Sequence, residues 1–215
     1  MSKEKFDKKL LVEGINDLHV ISNLCQVLNI PENFDIIDCN SCKGVFDQLE
    51  TRLSNPNNCK TIGLVLDADQ NSPNDRLQAL KNRLNGIPYI FPAQVPNGGL
   101  IVNPPQDKHA PKMGLWVMPD NIRHGMLEDF VIELVPENDQ LLPKAELVIT
   151  DIEAITPLPE GRFKDVHRSK AKVHSYLAWK DEPGTPMGQA ITKRILDPNS
   201  ESALVFADWL KQLFN

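Results

Sequence analysis

Four apolar runs, Lys9–Glu13, Phe34–Cys39, Thr61–Asp67 and Gly114–Met118, are separated by stretches in which apolar residues recur every three or four positions. Continuous apolar runs of this length read as strands buried on both faces of a parallel sheet, and the intervening period reads as helix. The pattern predicts helices from about Asn16 to Leu28, over Val45–Leu53 and over Asn74–Leu84, the last with Leu77, Leu80 and Leu84 on one face. Asn16 and Asp17 are candidate caps for the first helix, and Ser72-Pro73 opens the third. Strand and helix alternating three times imply right-handed parallel crossovers, hence an α/β fold.

Between Pro88 and Pro111 the pattern breaks, with six prolines, the turn Asn97-Gly98-Gly99 and a short apolar piece at Leu100–Val102. A hairpin-like insertion is expected over about 87–111. After the Gly114–Met118 strand a helix begins near Gly125 and carries Leu127, Phe130, Val131 and Leu134. The remaining chain reads as helices over Asp139–Ile155, Asp165–Lys180, Met187–Leu196 and Ser202–Phe214. The expected organisation is an α/β domain over 1–135 and a helical C-terminal extension over 136–215 packed on it.

Composition changes this picture little. With 215 residues, 41% hydrophobic and 24% charged, the chain suits one good-sized core. It has no apolar run of membrane-spanning length and no signal peptide pattern, so a cytoplasmic protein is expected, with Cys25, Cys39, Cys42 and Cys59 reduced. Cys39 and Cys42 form a CxxC pair without a second ligand pair, which disfavours structural zinc. The net charge of −6 argues against non-specific coating of nucleic acid.

Chemistry enters at the strand ends. Glu13 follows the first strand and Asp17 lies one turn into the next helix, so both carboxylates face one spot, with Gly14 expected to allow a sharp turn between them. Asp67 and Asp69 flank Ala68 after the third strand and would point to the same side if extended. Parallel sheets bind ligands beyond the carboxyl ends of their strands. If the first and third strands are neighbours, four carboxylates converge. Such a cluster is unfavourable when empty, and oxygen-only donors suit Mg2+ or Mn2+.

Glu13 and Asp67-Ala68-Asp69 resemble, in identity, order and spacing, the pattern of the Toprim domain of topoisomerases, DnaG-type primases, RecR proteins, OLD-family nucleases and ribonuclease maturases. The likeness covers about residues 8–135. Glu13-Gly14-Ile15-Asn16-Asp17 is similar to the OLD-type form, in which a later acid also binds metal, matched here by Glu128 in Gly125-Met126-Leu127-Glu128. The resemblance implies a Rossmann-like, mostly parallel sheet flanked by helices and a magnesium-dependent nuclease acting on DNA or RNA. It implies metal ligation by Glu13, Asp17, Asp67, Asp69 and Glu128. OLD-type domains work with an ATPase; this chain has no G-x-x-x-x-G-K-[ST] loop, so an alternative is a non-catalytic metal- or phosphate-binding module partnered by a separate ATPase.

The segment 162–174 carries Arg162, Lys164, Arg168, Lys170 and Lys172 against Asp165. On a helix, Lys164, Arg168 and Lys172 share a face; a phosphate-binding stripe and a solvated basic face both fit. Lys170 falls with Val166, Val173 and Leu177 on the face expected to pack inward, where a lysine needs a partner such as the acidic site or a substrate phosphate. Snorkelling to solvent is the alternative for Lys170; the resemblance to OLD-type nucleases, which use a lysine near their metals, implies a catalytic role for it beside Glu13. Trp116, Trp179 and Trp209 are expected in the packing core.

Overall fold

A computed structural model describes residues 4–54, 59–104 and 110–215. Five strands form one sheet: β1 (Lys8–Val12), β2 (Asp35–Asp38), β3 (Thr61–Asp67), β4 (Leu100–Val102) and β5 (Lys112–Met118). Their order is β2-β1-β3-β5-β4, parallel throughout except for β4, which runs antiparallel to β5. The connecting helices are α1 (Ile15–Val27), α2 (Cys42–Leu53), α3 (Pro73–Arg83) and α4 (Leu127–Glu133). They are followed by α5 (Leu141–Glu153), α6 (Arg168–Ala178), α7 (Met187–Thr192) and α8 (Glu201–Phe214). The fold is therefore α/β, a mostly parallel sheet flanked by helices.

Alternation along each strand sorts the core into two layers. Leu10, Val12, Val65, Trp116 and Met118 meet α1, α4, α7 and α8 on one face. Leu11, Ile62, Leu64, Leu66, Leu115 and Val117 meet α2 and α3 on the other. The central strands β3 and β5 are buried almost throughout, which is why they read as unbroken apolar runs.

The C-terminal helices complete the first layer. A Cβ on Gly63 or Gly114 would lie 2.8 or 2.5 Å from Leu213, so two glycines on adjacent strands make the saddle in which α8 sits. Trp209 of α8 lies against Trp116 and Phe206, and its indole N–H donates to the Leu100 carbonyl at 3.0 Å, tying the short edge strand to the core. Gly188 brings α7 against α1, where a Cβ would stand 2.7 Å from the His19 carbonyl.

Several boundaries differ from the sequence expectation. The proline-rich stretch supplies only β4 and the turn closed by Gly99 N–H on the Pro96 carbonyl; residues 105–109 of the expected insertion lie outside the described residues. The first helix is capped by Gly14, not Asn16 or Asp17. Gly14 is extended (φ −155°, ψ 173°), a conformation open to any residue, so no sharp turn needs it. A Cβ there would lie 3.4 Å from the Asp17 carboxylate, an ordinary contact. A 3-10 turn over Asp165–His167 precedes α6, which leaves Lys164 outside the helix and Val166 exposed. Trp179 at the end of α6 is 41% exposed, unlike the other two tryptophans, because the helix runs out past the core.

Candidate functional site

Register alone brings two acidic motifs together. Val12 of β1 lies opposite Val65 of β3, so Glu13 emerges beside the last residues of β3, and the Asp67 N–H donates to Glu13 Oε1 at 2.9 Å. The chain after β5 then returns to the same edge: Asp69 and Gly125 exchange backbone hydrogen bonds of 2.7 and 3.2 Å. That return is held by Asn121, which is buried, accepts from the Val117 N–H at 2.8 Å and donates to the Asn97 carbonyl at 3.2 Å. It starts α4 at the sheet edge, and the Leu127 N–H at the amino end of α4 donates to Asp67 Oδ1 at 2.9 Å.

The connections after β1, β3 and β5 thus converge, and their carboxylates act on one another. Asp17 is only 6% exposed and Glu128 only 3%. Burial, then the charges of Asp17, Glu13, Glu128 and Asp69, push the Asp67 carboxyl up to about 9. Burial and the neighbouring Glu13 and Glu128 push Asp17 up to about 7. Glu13 is also raised, by burial foremost, with the Asp67 N–H and Arg76 opposing and Asp69 adding to the rise. Each residue singled out as a metal ligand in the sequence therefore lies at this edge.

The donor chemistry fits a hard divalent cation: all oxygen, buried, and destabilised by its own charge. The side chains are nevertheless engaged elsewhere in this conformation. Glu13 Oε1 and Asp67 Oδ1 accept backbone N–H groups, and Glu128 Oε1 lies 3.3 Å from the Lys170 ammonium. Among the described residues, no group of three or more His, Cys, Asp or Glu side chains is arranged to hold a metal ion as it stands. Each of these contacts engages one oxygen of its carboxylate.

Lys170 reaches the site from α6, its side chain 46% exposed, so it stands at the rim and not in the core. Its neighbour Ser169 donates to Asp129 Oδ1 at 2.5 Å, while Asp129 Oδ2 accepts the Met126 N–H at 2.9 Å. Two adjacent residues of α6 are thereby fastened to two adjacent acids of α4. The basic stripe has a different environment. Arg168 pairs with Glu146 and Glu153, and Lys172 with Glu146 at 3.0 Å, so both face α5, while Lys164 precedes the 3-10 turn. The three do not form one open face.

Arg76 carries no signal in the sequence, where it sits in a polar helix, yet it lies at the centre of the site's far wall. Its Nε donates to the Asp67 carbonyl at 2.8 Å and its Nη2 to Asp69 Oδ2 at 2.9 Å. Cys42, in the first turn of α2, lies against both Arg76 and Glu13. Gly44 lets the start of α2 pack on the end of β2, since a Cβ there would overlap the Cys39 carbonyl at 1.9 Å.

No curated protein matches the chain. It aligns with the C-terminal region of the OLD protein of Xanthomonas campestris pv. campestris, a structure phased with iodine, at 15% identity. That alignment covers 96% of this chain and 85% of the other, with a TM-score of 0.39. Residues 7–215 match a family described as "Protein of unknown function (DUF3226)", to which the chain belongs.

Proposed function

We propose that the carboxyl edge of the sheet is the active site of a Toprim-like, Mg2+- or Mn2+-dependent nuclease acting on DNA or RNA. The observation that carries this reading is the gathering of Glu13, Asp17, Asp67, Asp69 and Glu128 at one sheet edge, where burial first and then the neighbouring charges drive Asp67 up to about 9 and Asp17 to about 7. Acids at such cost are kept where function uses them. Glu13, Asp17, Asp67, Asp69 and Glu128 would hold the cation, which when bound supplies an activated water and neutralises charge on the scissile phosphate.

The chain's own residues do the rest. Burial around Asp17 and Glu128 excludes bulk water and strengthens every charge interaction within. Lys170, half-exposed beside Glu128, is placed to leave that carboxylate and donate to a phosphate oxygen. Asp67, turned by the Leu127 N–H, keeps its second oxygen for the cation.

The test is cleavage of plasmid, linear duplex, single-stranded DNA and RNA with Mg2+ or Mn2+, beside Glu13→Ala. Cleavage that survives the substitution refutes the mechanism. A second reading is a non-catalytic metal- or phosphate-binding module that works with a separate ATPase, since the sequence carries no G-x-x-x-x-G-K-[ST] loop of its own. Mn2+ binding without cleavage of any substrate would select it.

A further inference from the structure

We infer that Arg76 is a positioning residue of this site, locking the Asp69 turn so that Asp69 presents its carboxylate inward. The inference rests on the acidic-site reading and adds to it a residue outside the carboxylate set. Asp69 has φ 55°, in the left-handed region, which aspartate enters more readily than most residues with a Cβ. Two contacts fix the turn there. Gly125 pairs with the Asp69 backbone from one side, and Arg76 grips both the Asp69 carboxylate and the Asp67 carbonyl from the other.

The guanidinium fork is suited to that task. Its Nε and Nη2 reach two acceptors two residues apart, and Nη1 lies 3.6 Å from Cys42 Sγ, so one planar group spans the end of β3 and the start of α2. The side chain is 15% exposed while the Asp69 side chain is 47% exposed, so the arginine is fixed and the acid remains open to a ligand. A lysine keeps the charge but lacks the rigid planar fork that aims Nε and Nη2 at both acceptors.

Charge and position predict opposite signs. If Arg76 acted only as a positive charge, its removal would tighten cation binding, because one positive charge fewer would repel the incoming ion. If it positions Asp69, removal loosens binding. For Arg76→Ala and Arg76→Lys we expect Mn2+ affinity, read by titration calorimetry, to fall about 10-fold or more, the size seen when groups supporting metal ligands are lost. In metal-free protein we expect hydrogen exchange at the Asp69 and Gly125 amides to speed up about 10-fold in both variants, with amides of β1 and β5 unchanged.

Arg76→Lys guards against misfolding of the alanine variant. Unchanged exchange at Asp69 and Gly125 in Arg76→Lys overturns the inference whatever the metal does, as does Mn2+ binding equal to or tighter than wild type. Faster exchange in a protein whose wild type binds no Mn2+ upholds the positioning role and refutes the metal-site reading instead.

Discussion

Replacing Asp17 by asparagine tests the electrostatic account of the site without any substrate. Asp17 is buried beside Glu13 and Glu128, which together with burial raise its carboxyl from 3.8 to about 7. An acid whose folded value exceeds its unfolded value binds protons more tightly when folded, so stability falls as pH rises from about 4 to about 7 and stays low above that. The rise is about three units at ~1.4 kcal/mol each, an upper bound of about 4 kcal/mol for Asp17 alone. Asparagine keeps the shape, cannot ionise, and can donate to the neighbouring carboxylates. It also removes the nearest charge acting on Asp67. Allowing for imperfect hydrogen bonding of the amide, about half the bound should be recovered, ~2 kcal/mol or roughly 4–8 °C in melting temperature for a domain this size. Melting followed by circular dichroism in EDTA, from pH 4 to 9, should show Asp17→Asn above wild type at pH 8 and level with it near pH 4. Added Mg2+ should raise wild type more than the variant. A variant that melts below wild type at pH 8, or a pH slope identical to wild type, refutes the reasoning.

Four further outcomes follow from the same geometry. Lys170→Met should lower kcat about 100-fold while Mn2+ affinity changes less than about threefold, since a rim donor to phosphate acts in the transition state; an equal loss of metal affinity would assign the lysine to the carboxylates. Gly125→Ala should cost about 1–3 kcal/mol in a melting experiment, because φ is 139° and a Cβ would lie 2.7 Å from Asp129 Oδ2; wild-type melting would show that the return loop is looser than drawn here. Ser169→Ala should cost about 1–2 kcal/mol through its lost bond to Asp129, and a double-mutant cycle with Asp129→Asn should show coupling above about 0.5 kcal/mol. Mn2+ binding at pH 8 should release protons, since Asp67 at about 9 is still largely protonated there, and calorimetry in buffers of different ionisation enthalpy reads the number; no buffer dependence would contradict that state.

The parallel sheet was legible because buried strands leave unbroken apolar runs, and β3 and β5 are buried on both faces. Glu13, Asp67 and Asp69 were legible for a related reason: strand ends are visible in sequence, and acids placed there stand out. The sequence leaves the pairing of β1 with β3 open, and the register of Val12 on Val65 supplies the shared edge. What sequence missed depends on elements distant along the chain. Lys164, Arg168 and Lys172 read as a stripe because helical spacing is local information. That α5 brings Glu146 and Glu153 against Arg168 is tertiary information. Gly14 and Gly125 look alike in sequence as glycines before helices, yet only Gly125 has a φ that needs one.

Arg76 was invisible for the same reason, and its position completes the charge balance. Five carboxylates face two cations, Arg76 from α3 and Lys170 from α6, on opposite walls. Neither cation is central: Arg76 is committed to Asp69 and the end of β3, and Lys170 reaches only Glu128. The buried middle, Asp17 and Asp67, is left to hold protons in place of positive charge, which is what values of about 7 and about 9 mean physically. A divalent ion can displace those protons, whereas a third fixed lysine or arginine would have neutralised the site permanently. On the proposed metal-site reading, peripheral cations around a proton-holding centre leave room for exchange of proton for metal, which a purely structural ion-pair network would not.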